Sequence, residues 1–134
     1  MPKVFVRCSL IISGDLDPDL LTTSIGRMPT ATWRVGDIRT NRKDARHADS
    51  GWQLHGDPSE SLEHAVSSVL YRVADVRQEL VSSCAAFSEV HLVLNVEAWK
   101  GDYVPALNLS VETIRQIAEL GCELDIDMYC QSYE

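Results

Sequence analysis

Residues 61–87 read SLEHAVSSVLYRVADVRQELVSSCAAF, and this stretch decides the fold. Leu62, Ala65, Val66, Val69, Leu70, Val73, Val76, Leu80, Val81 and Cys84 recur at three- and four-residue steps. That is the period of one buried helical stripe. Glu63, His64, Arg72, Asp75, Arg77, Gln78 and Glu79 lie between them and form the wet face. Asp57 or Ser59, with Pro58 beside them, supplies the start, because a short side-chain oxygen accepts the unpaired amide hydrogens of a first turn. One long amphipathic helix is therefore expected, and a charge at Val69 should break the fold.

On the N-terminal side, residues 4–13 alternate. Val4, Val6, Cys8, Leu10 and Ile12 share one face, and Phe5, Arg7, Ser9, Ile11 and Ser13 the other, as in a half-buried strand. Asp17-Pro18 opens a short helix with Leu20, Leu21 and Ile25 on its apolar side and Gly26 as its left-handed exit. Residues 30–38 are β-branched and aromatic and end in Gly36-Asp37, which predicts a second strand and a turn. Residues 39–50 are polar without apolar periodicity and read as a mobile loop. A short strand over 51–55 leads into the long helix.

On the C-terminal side, residues 89–99 alternate again. Val90, Leu92, Leu94, Val96 and Ala98 face the core, with His91, Val93, Asn95, Glu97 and Trp99 opposite. Lys100-Gly101-Asp102 makes a turn, and 106–109 a short strand. Ser110 caps a third helix with Ile114, Ile117, Ala118 and Leu120 inward and Gly121 closing it. The last strand puts Cys122, Leu124, Ile126, Met128 and Cys130 on the core face and Glu123, Asp125, Asp127 and Tyr129 on the other. The two ends rhyme as strand, capped helix, glycine and strand, like a pseudo-duplicated unit joined through the long helix. The expected architecture is one α+β domain over 1–134, with one long and two short helices on one face of a largely antiparallel sheet.

A chain of 134 residues with 45% apolar and 24% charged side chains suits one compact domain and argues against wholesale disorder. Its net charge of −8 repels phosphate, which disfavours nucleic acid and favours a basic partner. The first residues lack the basic start and long apolar middle of an export signal, and no stretch approaches the ~20 apolar residues of a membrane span. The cytoplasm is the expected compartment. Cys8, Cys84, Cys122 and Cys130 are far apart and fall on apolar phases. Buried inert thiols are expected, with no metal and no cofactor.

Two constellations are candidates for binding. The first is the sheet face away from the helices, with Arg7, His91, Glu97, Asp125, Asp127 and Tyr129 beside Ser9 and Asn95. Asp125 and Asp127 point the same way about 7 Å apart. With His91 or Glu97 they could hold a divalent cation for an enzyme. The plainer account is a wet face on which Arg7 neutralises Asp125 or Asp127. The second is Trp33, Arg34 and Asp37 with Trp52, flanking a basic loop that carries Arg39, Arg42, Lys43 and Arg46. These could stack on a flat ligand and hold an anion, although tryptophans at strand ends more often cover a core. No nucleophile elbow, phosphate loop or His-Glu-x-x-His helix occurs, and the four histidines lack ligand spacing. No catalytic residue is assigned.

The order of Ile12-Ser13-Gly14-Asp15-Leu16, Leu21-Thr22-Thr23-Ser24-Ile25-Gly26, Trp33-Arg34-Val35-Gly36-Asp37, Gly51-Trp52, and Leu120-Gly121 through Asp125-Ile126-Asp127-Met128-Tyr129 resembles an uncharacterised bacterial family, the domain of unknown function 4279. The resemblance covers nearly the whole chain and implies a small stand-alone α+β domain. It brings no activity and no catalytic residues. The expected function is a non-enzymatic binding domain that recognises a basic protein partner, in the manner of immunity proteins, or a small ligand.

Overall fold

The computed structural model describes residues 5–39, 42–87, 89–100 and 106–130. Val4, the expected turn after Lys100, and the side chains of Arg42, Lys43 and Cys130 lie outside the described residues. In chain order the elements are β1 (Phe5–Gly14), α1 (Pro18–Ile25), β2 (Ala31–Trp33), β3 (Ile38–Arg39), β4 (Arg42–Arg46) and β5 (Ser50–His55). Then follow α2 (Leu62–Val73), a 3-10 turn (Ala74–Val76), α3 (Arg77–Ala85), β6 (Val90–Lys100), α4 (Val111–Leu120) and β7 (Glu123–Cys130).

The main sheet has the order β2-β5-β1-β6-β7. The β2–β5, β5–β1 and β1–β6 pairs are antiparallel, and β6–β7 is parallel. The sheet is therefore mixed, as a strand–helix–strand crossover through α4 requires. The alternation read in β1 holds: Val6, Cys8, Leu10 and Ile12 are fully buried on the helix face. Leu54 of β5 and Leu92, Leu94, Val96 and Ala98 of β6 join them. Leu62, Ala65, Val66, Val69, Leu70 and Val73 of α2 are buried over this face.

The long helix is real but interrupted. Ser61, not Asp57 or Ser59, is its cap: Ser61 Oγ accepts from the His64 amide at 3.2 Å. Ser59 instead pairs through its backbone with Val6. Beyond Val73 the stripe shifts, leaving Leu80 and Ser83 buried and Val81 42% exposed. A 3-10 turn advances about 120° per residue against 100° in an α-helix, so three such residues rotate the stripe by roughly 60°.

Four further expectations are corrected. The polar stretch after Ile38 is not a loop, because β3 and β4 pair as a separate two-stranded ribbon. A ribbon with both sides off the core needs no apolar alternation, so the period test is silent there. The expected strand over 106–109 reduces to a single bridge between Ala106 and Ser61. In α4 the buried positions are Thr113, Ile117 and Leu120, while Ile114 and Ala118 are exposed. Thr113 turns inward because its hydroxyl donates to Glu63 Oε2 at 2.6 Å, tying α4 to α2. Ile126 and Met128 lie on the helix side of β7 yet are 42% exposed each, since the edge of the sheet extends beyond the buried core.

Candidate functional site

The register of β5, β1, β6 and β7 sorts the uncovered sheet face into rows. Phe5, Trp99 and Tyr129 form the first. Phe5 stacks on Trp99 with ring centroids 5.7 Å apart, and Trp99 on Tyr129 at 4.6 Å. Arg7, Glu97 and Asp127 form the second, and His55, Ser9, Asn95 and Asp125 the third. Ile11, Val93 and Glu123 lie in the fourth. The last joins Trp33, Gly51, Ser13 and His91. Arg7, Glu97, Asp125, Asp127 and Tyr129 thus share the face predicted for them.

Arg7 does not neutralise the β7 carboxylates. Its Nη2 donates to Glu97 Oε1 at 2.8 Å, directly across the strand pair. Asp127 accepts from Asn95 Nδ2 at 3.2 Å. Among the described residues no cation pairs with Asp125, Asp127 or Glu123. The acidic charge of β7 is left facing outward.

In the third row Ser9 Oγ and His55 Nδ1 are 2.6 Å apart, with Ser9 buried. Desolvation, then the Arg7 charge, holds the His55 imidazole below its ordinary value, with Glu97 opposing and Arg72 adding. A neutral ring can accept the Ser9 proton, which suits a structural hydrogen bond. Sequence reading left His55 unassigned because its partner lies 46 residues away.

His91 lies on this same face but at its far end. Six residues along β6 separate it from Glu97, about 20 Å of strand. It lines a cavity of about 340 Å³ with Gly14, Asp15, Asp49, Ser50 and Glu89. The four residues proposed for a divalent cation therefore do not converge. No group of three or more His, Cys, Asp or Glu among the described residues is arranged to hold a metal ion.

The second constellation is split between the two faces. Trp52 is fully buried under the helices, and its Nε1 donates to Thr22 Oγ1 at 3.0 Å. It is core and offers no surface to a ligand. Trp33, of opposite phase, lies on the uncovered face and stacks on His47 at 4.9 Å. Its ring crosses Gly51 so closely that a Cβ there would fall 2.0 Å from Trp33 Cζ2, which requires glycine at this position. Arg34 reaches away to Asp17 and Asp19 at 3.1 and 2.9 Å. The amides of Asp19 and Leu20 and the Arg34 guanidinium together hold the Asp17 carboxyl below its ordinary range. Asp37 Oδ2 accepts from the Arg34 amide at 2.8 Å and shapes the turn. Trp33 and Asp37 then line a cavity of about 490 Å³ with Arg39, His47, Asp49 and Gln53.

Of the described thiols Cys8 is buried, while Cys84 and Cys122 are half-buried rather than buried as expected. Cys8, Cys84 and Cys122 are free. Burial pushes them up to about 12, 11 and 12, so they are inert at neutral pH.

The fold and this face define a single-domain α+β protein with helices on one side of a mixed sheet and the exposed carboxylates of β7 on the other. The chain belongs to the family described as a domain of unknown function (DUF4279), whose sequence pattern matches residues 3–131. No curated protein and no solved structure matches it. No helix among the described residues is long and apolar enough to cross a membrane.

Proposed function

We propose that this protein is a non-enzymatic binding domain that recognises a basic protein partner through the uncovered face of β6 and β7. One observation carries the reading: the exposed carboxylates Glu123, Asp125 and Asp127, with no described cation paired to them, line the same face as the stacked Phe5–Trp99–Tyr129 row. Outward acidic charge steers and orients a cationic partner. Aromatic rings supply apolar contact area at small entropy cost, as at the energetic centres of protein interfaces. The net charge of −8 acts in the same direction. The free thiols of Cys8, Cys84 and Cys122 support action in a reducing compartment, which we take to be the cytoplasm.

The test is a titration of isotopically labelled protein with a lysine-rich peptide at low and high salt. Amide shifts should centre on β6 and β7 and weaken at high salt. The combined Asp125→Asn and Asp127→Asn variant should lose at least tenfold in affinity. Shifts confined to the β3–β4 ribbon would instead favour a second reading, a small flat ligand in the cavity beside Trp33 and His47.

A further inference from the structure

We infer that the partner engages β7 as an added strand, an extended segment with basic residues at alternate positions. The inference rests on the acidic-face reading and names how the contact is made.

The two edges of the sheet differ. At one edge, β2 has three residues, and its Trp33 is covered by His47 from beyond β4. At the other, β7 has eight, and no described strand pairs with its outer side. Its register with β6 runs unbroken from Val93↔Glu123 to Lys100↔Cys130, without a bulge. It contains neither proline nor lysine. Long, straight edges present unpaired N–H and C=O groups, which proteins ordinarily blunt with proline, bulges or charge. On β7 the only such device is a row of carboxylates, which repels an acidic strand and attracts a basic one. Here alternate residues of β7 turn their N–H and C=O groups outward with nothing described to receive them.

The side chains of this edge specify its occupant. Glu123, Asp125 and Asp127 occupy alternate positions on the uncovered face. Ile126 and Met128, on the helix side, remain 42% exposed. A strand added beside β7 repeats the same alternation at about 7 Å. Its lysine or arginine residues would lie next to the carboxylates, and its apolar residues next to Ile126 and Met128. A second copy of this chain fits poorly. Pairing β7 with itself would place two acidic rows on one face, where like charges repel. Charge complementarity therefore commits the edge to a basic strand.

Three peptides test this against the full native chain: one of alternating lysine and valine, the same peptide with alternate backbone amides methylated, and an alternating glutamate and valine control. The first should bind saturably and slow hydrogen exchange at alternate β7 amides by tenfold or more. Methylation should weaken it at least tenfold, because it removes donors without removing charge, and the acidic control should not bind. The Asp125→Lys variant should lose the lysine peptide. Equal binding of the methylated peptide, or shifts on the face without slowed β7 amides, would overturn strand addition and leave the acidic-face reading standing. Failure of every lysine peptide to bind would overturn both. A dimer of the native chain paired through β7 would also overturn the inference.

Discussion

The first unit, β1–α1–β2, and the last, β6–α4–β7, share one local pattern and end in opposite places. Both helices start at a side-chain cap: Asp17 accepts from the Asp19 amide at 3.0 Å, and Ser110 from the Thr113 amide at 3.1 Å. Both end at a left-handed glycine, Gly26 with φ 78° and Gly121 with φ 71°. In both, the flanking strands are parallel, since β1 and β2 are each antiparallel to β5. In the first unit, β5 fills the gap between the strands. In the last, the strands pair directly and β7 is left at the rim. The difference teaches that the same local pattern, which puts its second strand at a rim in both units, leaves its two strands split or directly paired according to what occupies the adjacent slot. Three carboxylates are tolerated on β7 because they face water, whereas β1 carries no acidic residue.

The largest test of this contrast is a charge in each strand. Leu10→Asp puts an uncompensated carboxylate in the core and should cost at least about 4 kcal/mol, enough to abolish folding. Ile126→Asp should cost no more than about 1 kcal/mol, since a charge at an exposed edge stays hydrated. Urea unfolding of both variants decides, and equal costs would mean that β7 is covered as β1 is.

A second test sharpens how the last unit is anchored. Glu63 receives hydrogen bonds from the Ser110 amide at 2.8 Å and from the Thr113 hydroxyl. The Thr113 hydroxyl first, then the Ser110 amide, holds its carboxyl below the ordinary range. Glu63→Ala should therefore cost about 2 kcal/mol at pH 7. A depressed carboxyl stabilises the fold above its ordinary value, and that contribution is lost as pH falls through the folded value. The gap between native and variant should close in denaturation at acid pH, and a gap that persists there would refute the ionic contribution.

The strand that divides the first unit should respond to pH through its His55, which bonds Ser9 of β1. Its value is depressed, so the neutral ring is favoured in the fold, and stability is present above the ordinary histidine range and lost as pH falls through it. His55→Gln should flatten the melting profile between pH 7.5 and 5.5. An unchanged slope would move the pH dependence to another group.

The smallest effects belong to β7. Asp125→Asn and Asp127→Asn should each change stability by about 0–1 kcal/mol, and less in high salt, because the carboxylates are exposed and no described cation pairs with them. The double variant should self-associate more readily, since its edge has lost the charge that repels a second strand. Native melts should overlay in chelator and in millimolar magnesium, calcium or manganese. A metal-dependent rise that disappears in the double variant would revive a cation site on this face.

The sequence by itself determined which residues share a face of β1, β6 and β7 and where the helices of both units begin and end. Strand alternation and side-chain capping act over one to four residues, so Cys8, Asp125, Ser110 and Gly121 carry their own instructions. Arg7 was assigned to the right face but the wrong partner, because only the register sets Glu97 opposite it. Trp33 and Trp52 looked equivalent in composition, and the pairing of β2 with β5 placed one on His47 and the other in the core. Tertiary structure alone decided that β5 lies between β1 and β2, that charged residues after Ile38 form a ribbon, and that Ile126 and Met128 remain exposed. Being at an edge depends on which strand is missing from the next slot. No window of sequence around β7 contains that neighbour.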